Sequence, residues 1–372
     1  MNRSNRFPLL GIVMLALLIS TRHCVTSSPA FAGSAGNSAQ IADLHIGVLG
    51  LFHPQEFEIQ PVVGQALMLN GGGEAIVIES SSAIGSVALH RSNGRVCIAA
   101  GARTMQAASV MIGGRDGNAT DFVLTIPGRI SRRYHGALEI RPSGQDLLAI
   151  LSMDRESAVA SVVAAESDPD TPIEALKAQA IATRSYLVAA RGRHPDFDFC
   201  DTTHCQFLRE PPPAGSPAAS AAAATSGLVI AYDSRPVAAM YSRSCSGRTR
   251  TPAQLGLPSS GYPYYSVECQ HCRRHPQLWR SRIPIEETLP ALGSDEMARL
   301  EIDRKLGWNA VPGNDFTARR QSGEVVLSGA GYGHGIGLCQ SGAKAMAQAG
   351  ASFREILNHY YPNTNIVNFR IH

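Results

Sequence analysis

What this chain lacks first is a charge of one sign. Its 372 residues carry 33 Lys+Arg against 30 Asp+Glu. Residues 1–32 hold Arg3, Arg6 and Arg22 and no acid, so the remainder balances at 30 against 30. A neutral chain argues against a field that gathers nucleic acid or steers toward anionic surfaces, so no nucleic-acid partner is expected. His-Glu-x-x-His, Gly-x-Ser-x-Gly and a Walker-type phosphate loop are also missing. Their absence removes the usual protease, esterase and nucleotide-binding readings. The apolar stretch Leu9–Ser20 falls short of the roughly twenty residues that a membrane-spanning helix needs.

What is present begins with an export signal. Arg3 and Arg6 form a basic lead, Leu9–Ser20 an apolar centre, and Ala30-Phe31-Ala32 a cleavage site. Residues 1–32 therefore read as a signal peptide, although the polar Arg22-His23 behind the apolar run leaves an uncleaved anchor open. Cys24 has no lipobox before it. Export places the chain in the periplasm, the cell envelope or outside the cell. The 44% hydrophobic content is ample for two packed units.

Residues 39–133 read as a β-rich accessory region or a contributor to the main sheet. Leu44–Leu51, Ala66–Leu69, Ala75–Ile78, Ser86–Leu89, Val96–Ala99 and Phe122–Ile126 are apolar or alternating, with turn residues between them. Asn93-Gly94 predicts a hairpin, because both residues tolerate positive φ. His53, Glu56 and Glu58 read as solvated strand residues rather than a site. From Tyr134 onward, strands at Ala137–Ile140 and Leu147–Leu151 precede a helical pattern over Glu156–Ala165 that delivers Glu166.

The stretch from Glu166 to Gln206 holds the densest chemistry. Thr171, Pro172 and Glu174 predict a capping box with Thr171 as N-cap. Leu176, Ala180, Thr183 and Leu187 then recur at helical spacing, and Gly192 marks the stop. Glu166 has no capping excuse; it ends an apolar segment just before the breaker run Asp168-Pro169-Asp170. It reads either as a functional acid or as a solvated helix-end carboxylate. After the helix, His194, Cys200 and Cys205 are spaced H-x5-C-x4-C with His204 beside them. Imidazole and thiolates suit tetrahedral zinc, while a Cys200–Cys205 disulfide or two packed thiols explain the same pair.

Farther on, Ser216, Pro217 and Gly227 bracket a short Ala-rich helix. Leu228–Tyr232 and Pro236–Tyr241 look like paired strands around Asp233-Ser234. Cys269 and Cys272 form a C-x2-C, which fits half a zinc site, a redox pair or disulfide partners; with Cys200 and Cys205 it would make a four-thiolate set. Beyond the signal the cysteines are Cys97, Cys200, Cys205, Cys245, Cys269, Cys272 and Cys339. Cys97 reads as a buried free thiol, and the pairing of the others stays open. Gly331-Tyr332-Gly333-His334-Gly335-Ile336-Gly337 permits close backbone approach to a ligand, or else a glycine-rich bulge with a buried, hydrogen-bonded His334. Ser341–Gly350 and Phe353–Tyr360 read as closing helices.

Four runs occur in order: EALKAQAIATRSYL from Glu174, DFDFCDTTHCQ from Asp196, YSRSCSGRT from Tyr241 and GYGHGIGLCQSGAKAMAQAG from Gly331. Together, over about Tyr134 to His372, the chain resembles the stage II sporulation protein D (SpoIID)/LytB family of peptidoglycan lytic transglycosylases and amidase enhancers. The resemblance implies an α+β fold: a SpoIID-like catalytic domain at residues 134–372 with a β-rich N-terminal region. It implies cleavage of the MurNAc–GlcNAc bond to leave 1,6-anhydroMurNAc ends, with Glu166 as the single acid/base. It implies a structural zinc on His194, Cys200 and Cys205, and a cleft in which Gln206, Ser244, Tyr332, His334 and Gln340 bind substrate. The implied partners are peptidoglycan glycan strands and a cell-wall amidase. The other function it implies is a non-catalytic, LytB-like amidase enhancer that binds peptidoglycan. Three places depart from the family pattern: Ser167-Asp168, Cys245-Ser246-Gly247 and Ser341.

Overall fold

Alternation decides the first half of the fold. Along Thr120–Ile126 every second side chain is buried, the period-two signature of a strand with one face on a core. Glu56–Pro61 and Ala66–Gly71 repeat it. The structure, a computed structural model, describes residues 43–81, 85–258, 261–285 and 295–369, all within one unit, Gln40–His372. The signal read at residues 1–32 lies outside the described residues.

These strands build a 12-stranded sheet. Its main path runs Phe199–Cys200, Leu44–Val48, Asp146–Met153, Ile130–Ser143, Thr120–Ile126, Glu56–Pro61, Val87–Ser92, Arg95–Ala100, Arg103–Ala107. The 14-residue strand Ile130–Ser143 is the joint. Up to Gly136 it pairs with Thr120–Ile126, and from Ala137 it pairs with Asp146–Met153 and, on its other edge, with Val110–Gly113. At the changeover a Cβ on Gly136 would sit 2.4 Å from the Ser152 carbonyl oxygen, so the switch needs glycine. The hairpin expected at Asn93-Gly94 is present, with φ of 49° and 71°. Strands Arg103–Ala107 and Val110–Gly113 carry no clear sequence pattern and were not anticipated. Cys97 is buried in this sheet.

Among the described residues the helices are α1 (Arg155–Glu166), α2 (Ile173–Ala189), α3 (Pro217–Ala224), α4 (Gln270–Arg274), α5 (Glu296–Leu306), α6 (Gln340–Gln348) and α7 (Phe353–Tyr360). With the sheets they make the fold α+β. The expected capping box at Thr171 does not form. Pro172 is the N-cap of α2 and makes no side-chain cap. Glu174 instead accepts Lys177 Nζ at 2.7 Å and the Phe353 N–H at 2.8 Å, so it satisfies an orphan donor of α7 rather than of its own helix. Ser216 caps α3 as anticipated. Leu228–Tyr232 pairs with only Arg235–Pro236 and with Asn365–Asn368, while Tyr241–Ser242 leaves to run parallel to Leu338–Cys339.

Every residue from Leu176 to Leu187 except Lys177 is buried, and the small side chains let α1, α3, α6, α7 and Leu228–Tyr232 all approach α2. Among the described residues between 278 and 330 a lobe not foreseen from sequence is added: strands Leu278–Pro284, Asp315–Gln321 and Glu324–Ala330 with α5. Its separate core contains Trp279, Ile283, Ile302, Val311, Val325 and Leu327.

The polar tie in the helical layer is Arg184, fully buried on α2. Its Nη2 meets Glu156 Oε2 of α1 at 2.5 Å and the Ala222 carbonyl of α3 at 3.1 Å, and its Nη1 meets the Leu228 carbonyl at 3.1 Å. Removing one partner of such a pair leaves a buried charge without its counter-ion. Glu156→Ala is expected to lower unfolding stability by about 3 kcal/mol, read from urea midpoints at unchanged slope; a change within about 0.5 kcal/mol would show that the pair is dispensable.

Candidate functional site

Glu166 is the last residue of α1. Asp154 starts that helix by accepting the Ser157 N–H, and the breaker run behind Glu166 stops it. The carboxyl is therefore carried on a rigid element and turned inward. Its Oε1 accepts the Phe207 N–H at 2.8 Å, and the Tyr241 hydroxyl is in hydrogen-bonding reach. Enclosure outweighs these contacts: burial pushes the Glu166 pKa up to about 7, while the Phe207 N–H, Tyr241 and the Arg209 charge pull it down less. A carboxyl poised there exchanges a proton readily near neutral pH.

Glu166 faces a cleft lined also by Ser167, Asp168, Thr171, Gln179, Arg243, Gln340 and Lys344. Gln340, at the start of α6, donates from Nε2 to the Glu166 backbone carbonyl at 3.0 Å. Gln206 is buried behind the carboxyl and accepts the Tyr241 hydroxyl at 2.6 Å. Sequence reasoning missed Gln179. Its Oε1 accepts the Ser167 hydroxyl, but its Nε2 is buried without a hydrogen-bond partner, an unspent donor on the cleft wall. It also missed Tyr241 and the rim cations. Arg243 lies 3.6 Å from the exposed Asp168 carboxylate, and Lys344 joins Asp168 at 3.9 Å and Asp170 at 2.5 Å.

The other sequence candidates lie elsewhere. Ser244 and His334 border a second depression with Arg248, Arg250, Asn314 and Asp315. Ser244 Oγ donates to Gln277 Oε1 and accepts the Tyr332 N–H, so it is spent on local structure. Tyr332 packs against the core of the 278–330 lobe. His334 accepts the Ile336 N–H at Nδ1 and hydrogen-bonds the Tyr241 backbone, and burial lowers its pKa. The ring holds the glycine-rich turn to the segment that carries the Tyr241 side chain. Of the five proposed binding residues, Gln340 lines the Glu166 cleft and Gln206 reaches its carboxyl through Tyr241.

The loop after α2 gathers four ligand-type atoms. His194, Cys200, His204 and Cys205 each offer one within 4.8 Å of the rest. His194 Nε2 lies 3.3 Å from Cys205 Sγ, and His204 Nδ1 lies 3.7 Å from Cys200 Sγ and 3.5 Å from Cys205 Sγ. Contacts from Cys205, His204 and Thr202 hold the Cys200 thiol far below its usual range, whereas Cys205 is pushed up. Two imidazoles and two sulfurs make a donor set suited to tetrahedral zinc. His194 also stacks on Phe197 at 4.5 Å between centroids, which orients the ring. Cys269 and Cys272 do not join Cys200 and Cys205. They sit with Cys245 and Cys339, which corrects the four-thiolate set considered from sequence.

Comparison with known proteins agrees with the resemblance. Residues 143–232, which include Glu166 and the His/Cys loop, match the family model described as SpoIID, stage II sporulation protein. An uncharacterised protein of Brachyspira hyodysenteriae is 26% identical over 270 residues, covering 63% of this chain and 73% of its own. Stage II sporulation protein D of Bacillus amyloliquefaciens is 27% identical over 258 residues, covering 57% of this chain and 73% of its own. The amidase enhancer of Bacillus subtilis is 39% identical over 69 residues, 18% of this chain and 10% of that protein.

The raised carboxyl has a stability consequence. The group has a pKa of 4.5 when unperturbed and about 7 when folded. Between those values the folded state retains a proton that the unfolded state has lost, so stability falls as pH rises through the window and levels off above it. Glu166→Gln removes this cost. It should stabilise the protein by up to about 3 kcal/mol at about pH 8, at about 1.4 kcal/mol per unit, and by nothing at about pH 4. Equal effects at both pH values in urea unfolding would contradict the shift.

Proposed function

From the premise that this chain carries a stage II sporulation protein D/LytB-family domain, we propose that it is an exported peptidoglycan lytic transglycosylase with Glu166 as its acid/base. The observation that carries this reading is the half-buried Glu166 carboxyl, held by the Phe207 N–H, its pKa pushed up by burial, in the lining of a polar cleft. The SpoIID-like part is read as the catalytic domain and the β-rich N-terminal region as its support.

Most glycoside hydrolases use two carboxylates. In the Glu166 cleft the other acid is Asp168, which is exposed and paired with Arg243 and Lys344. A lytic mechanism needs one. The protonated Glu166 gives its proton to the glycosidic oxygen between MurNAc and GlcNAc as the C1–O bond breaks. The MurNAc 6-hydroxyl oxygen then bonds to C1 and its proton passes to the Glu166 carboxylate, which regenerates the acid and leaves a 1,6-anhydro end. Gln340, bonded to the Glu166 carbonyl, fixes the end of α1. Of the remaining sequence candidates, His334 acts on the wall through the Tyr241 backbone, while Ser244 and Tyr332 hold each other at the second depression and do not touch the reacting bond.

His194, Cys200 and Cys205, with His204, are read as a structural zinc site. A bound zinc would supply a closed cross-link rather than a reactive water, since two thiolates satisfy much of its charge. The loop then fixes Gln206 and Phe207, whose N–H meets Glu166. The amidase-enhancer match favours a second reading, a peptidoglycan-binding activator of a cell-wall amidase.

Mass spectrometry of glycan strands, intact and peptide-stripped, after incubation with the protein distinguishes these. Anhydro-MurNAc ends are expected, at least about 100-fold fewer with Glu166→Gln. Reducing ends would mean hydrolysis with Asp168 as second carboxylate, and no cleavage of either substrate would favour the enhancer. Cleavage should decline above about pH 7 as Glu166 loses its proton. Cys200→Ser should lower zinc content and thermal stability together; unchanged zinc by elemental analysis would remove the metal from this loop.

A further inference from the structure

A second sulfur cluster lies outside the Glu166 cleft and the His/Cys loop. Cys245, Cys269, Cys272 and Cys339 are all buried, and their Sγ atoms lie within 4.8 Å of one another. They come from three segments: the loop after Tyr241–Ser242, the start of α4, and the residue before α6. Cys272 and Cys339, 67 positions apart in sequence, have their sulfurs 3.5 Å apart. We propose that these four thiolates bind a single zinc ion in a closed, structural site distinct from the His/Cys loop.

Three observations support it. Four sulfurs around one zinc at about 2.3 Å stand about 3.8 Å from one another, which suits sulfurs gathered this closely; a cubane iron–sulfur cluster would hold its thiolates farther apart. The surroundings are those of a thiolate rather than of a packed thiol. Cys339 Sγ accepts the Cys245 N–H at 3.3 Å and the Gly342 N–H at 3.4 Å, and the Tyr360 hydroxyl lies 3.5 Å from Cys269 Sγ. Such outer hydrogen bonds fix ligands and relieve their charge. Space is reserved as well, since a Cβ on Gly342 would lie 2.6 Å from Cys269 Sγ and 2.0 Å from the Tyr360 oxygen.

The full burial of all four ligands makes the site closed, with no position for substrate or water. Its role is to clamp segments that 94 residues of sequence separate, Cys245 and Cys339. Between those two cysteines the chain makes strands Leu278–Pro284, Asp315–Gln321 and Glu324–Ala330 and α5. The proposal does not rest on the lytic reading or on metal in the loop.

The test is elemental analysis of the full chain and of His194→Ala/Cys200→Ser/Cys205→Ser, which leaves the four cysteines untouched. One equivalent of zinc should persist in that variant and disappear on adding Cys269→Ser/Cys272→Ser. Cobalt exchanged into the triple variant should show the charge-transfer absorption of four-sulfur coordination. Should the variants fail to fold, the wild type is denatured with chelator and alkylated without reductant. All four cysteines should then be modified. No metal in the folded triple variant, iron in place of zinc, or cysteines protected as disulfides until reduction would each overturn the proposal.

Discussion

A guanidinium with no exposed surface must find every partner inside the protein, and Arg184 does so by drawing three elements together. Glu156 of α1, the Ala222 carbonyl of α3 and the Leu228 carbonyl at the head of a strand all converge on it. The pair's net worth against an apolar substitute is small, but its geometric demand is strict. Glu156 lies near one end of α1 and Glu166 at the other. Fixing the first sets the direction in which the second points, so the position of the carboxyl in the cleft follows from a contact at the far end of its own helix.

Burial of Glu166 favours the protonated carboxyl because its neighbours are incomplete. One backbone N–H and one hydroxyl reach the carboxyl, enough to hold it and too few to keep it ionised at its ordinary pKa. Tyr241 links two neighbourhoods: its hydroxyl meets Gln206 and Thr183, while its backbone meets His334. The glycine-rich turn and the acid are thus joined through one residue, although His334 borders a different depression.

Much of this was legible in the residues themselves. The period-two runs gave the sheet, and the interrupted helical pattern put Glu166 at a helix end, where it is. The His/Cys spacing located a ligand cluster, with His204 beside it, and the structure brings all four together. Other features were illegible because they depend on distant partners. Glu174 looks like a cap for its own helix but meets an N–H 179 positions away. Cys269 and Cys272 gave half of a set whose remaining members, Cys245 and Cys339, are chosen by the fold. The 278–330 lobe escaped notice because Asp315–Gln321 shows almost no buried face, while α5 hides Glu296 and Asp303 inside. Charges turned inward defeat a hydrophobic pattern.

The strand Leu44–Val48 lies between Asp146–Met153 on one edge and Phe199–Cys200 on the other. The region that matches the family model starts only at residue 143, yet its sheet and its cysteine-bearing loop are both completed by this earlier segment. A fragment cut to the matching region would leave Asp146–Met153 without a partner on either edge and Phe199–Cys200 without its partner beside Cys200, and would invite pairing with another copy. The segment that matches the family model is therefore not a portable module; it is closed by Ile130–Ser143 just before it and by a strand supplied about a hundred residues upstream, and a working excerpt would have to bring both along or receive them from another chain.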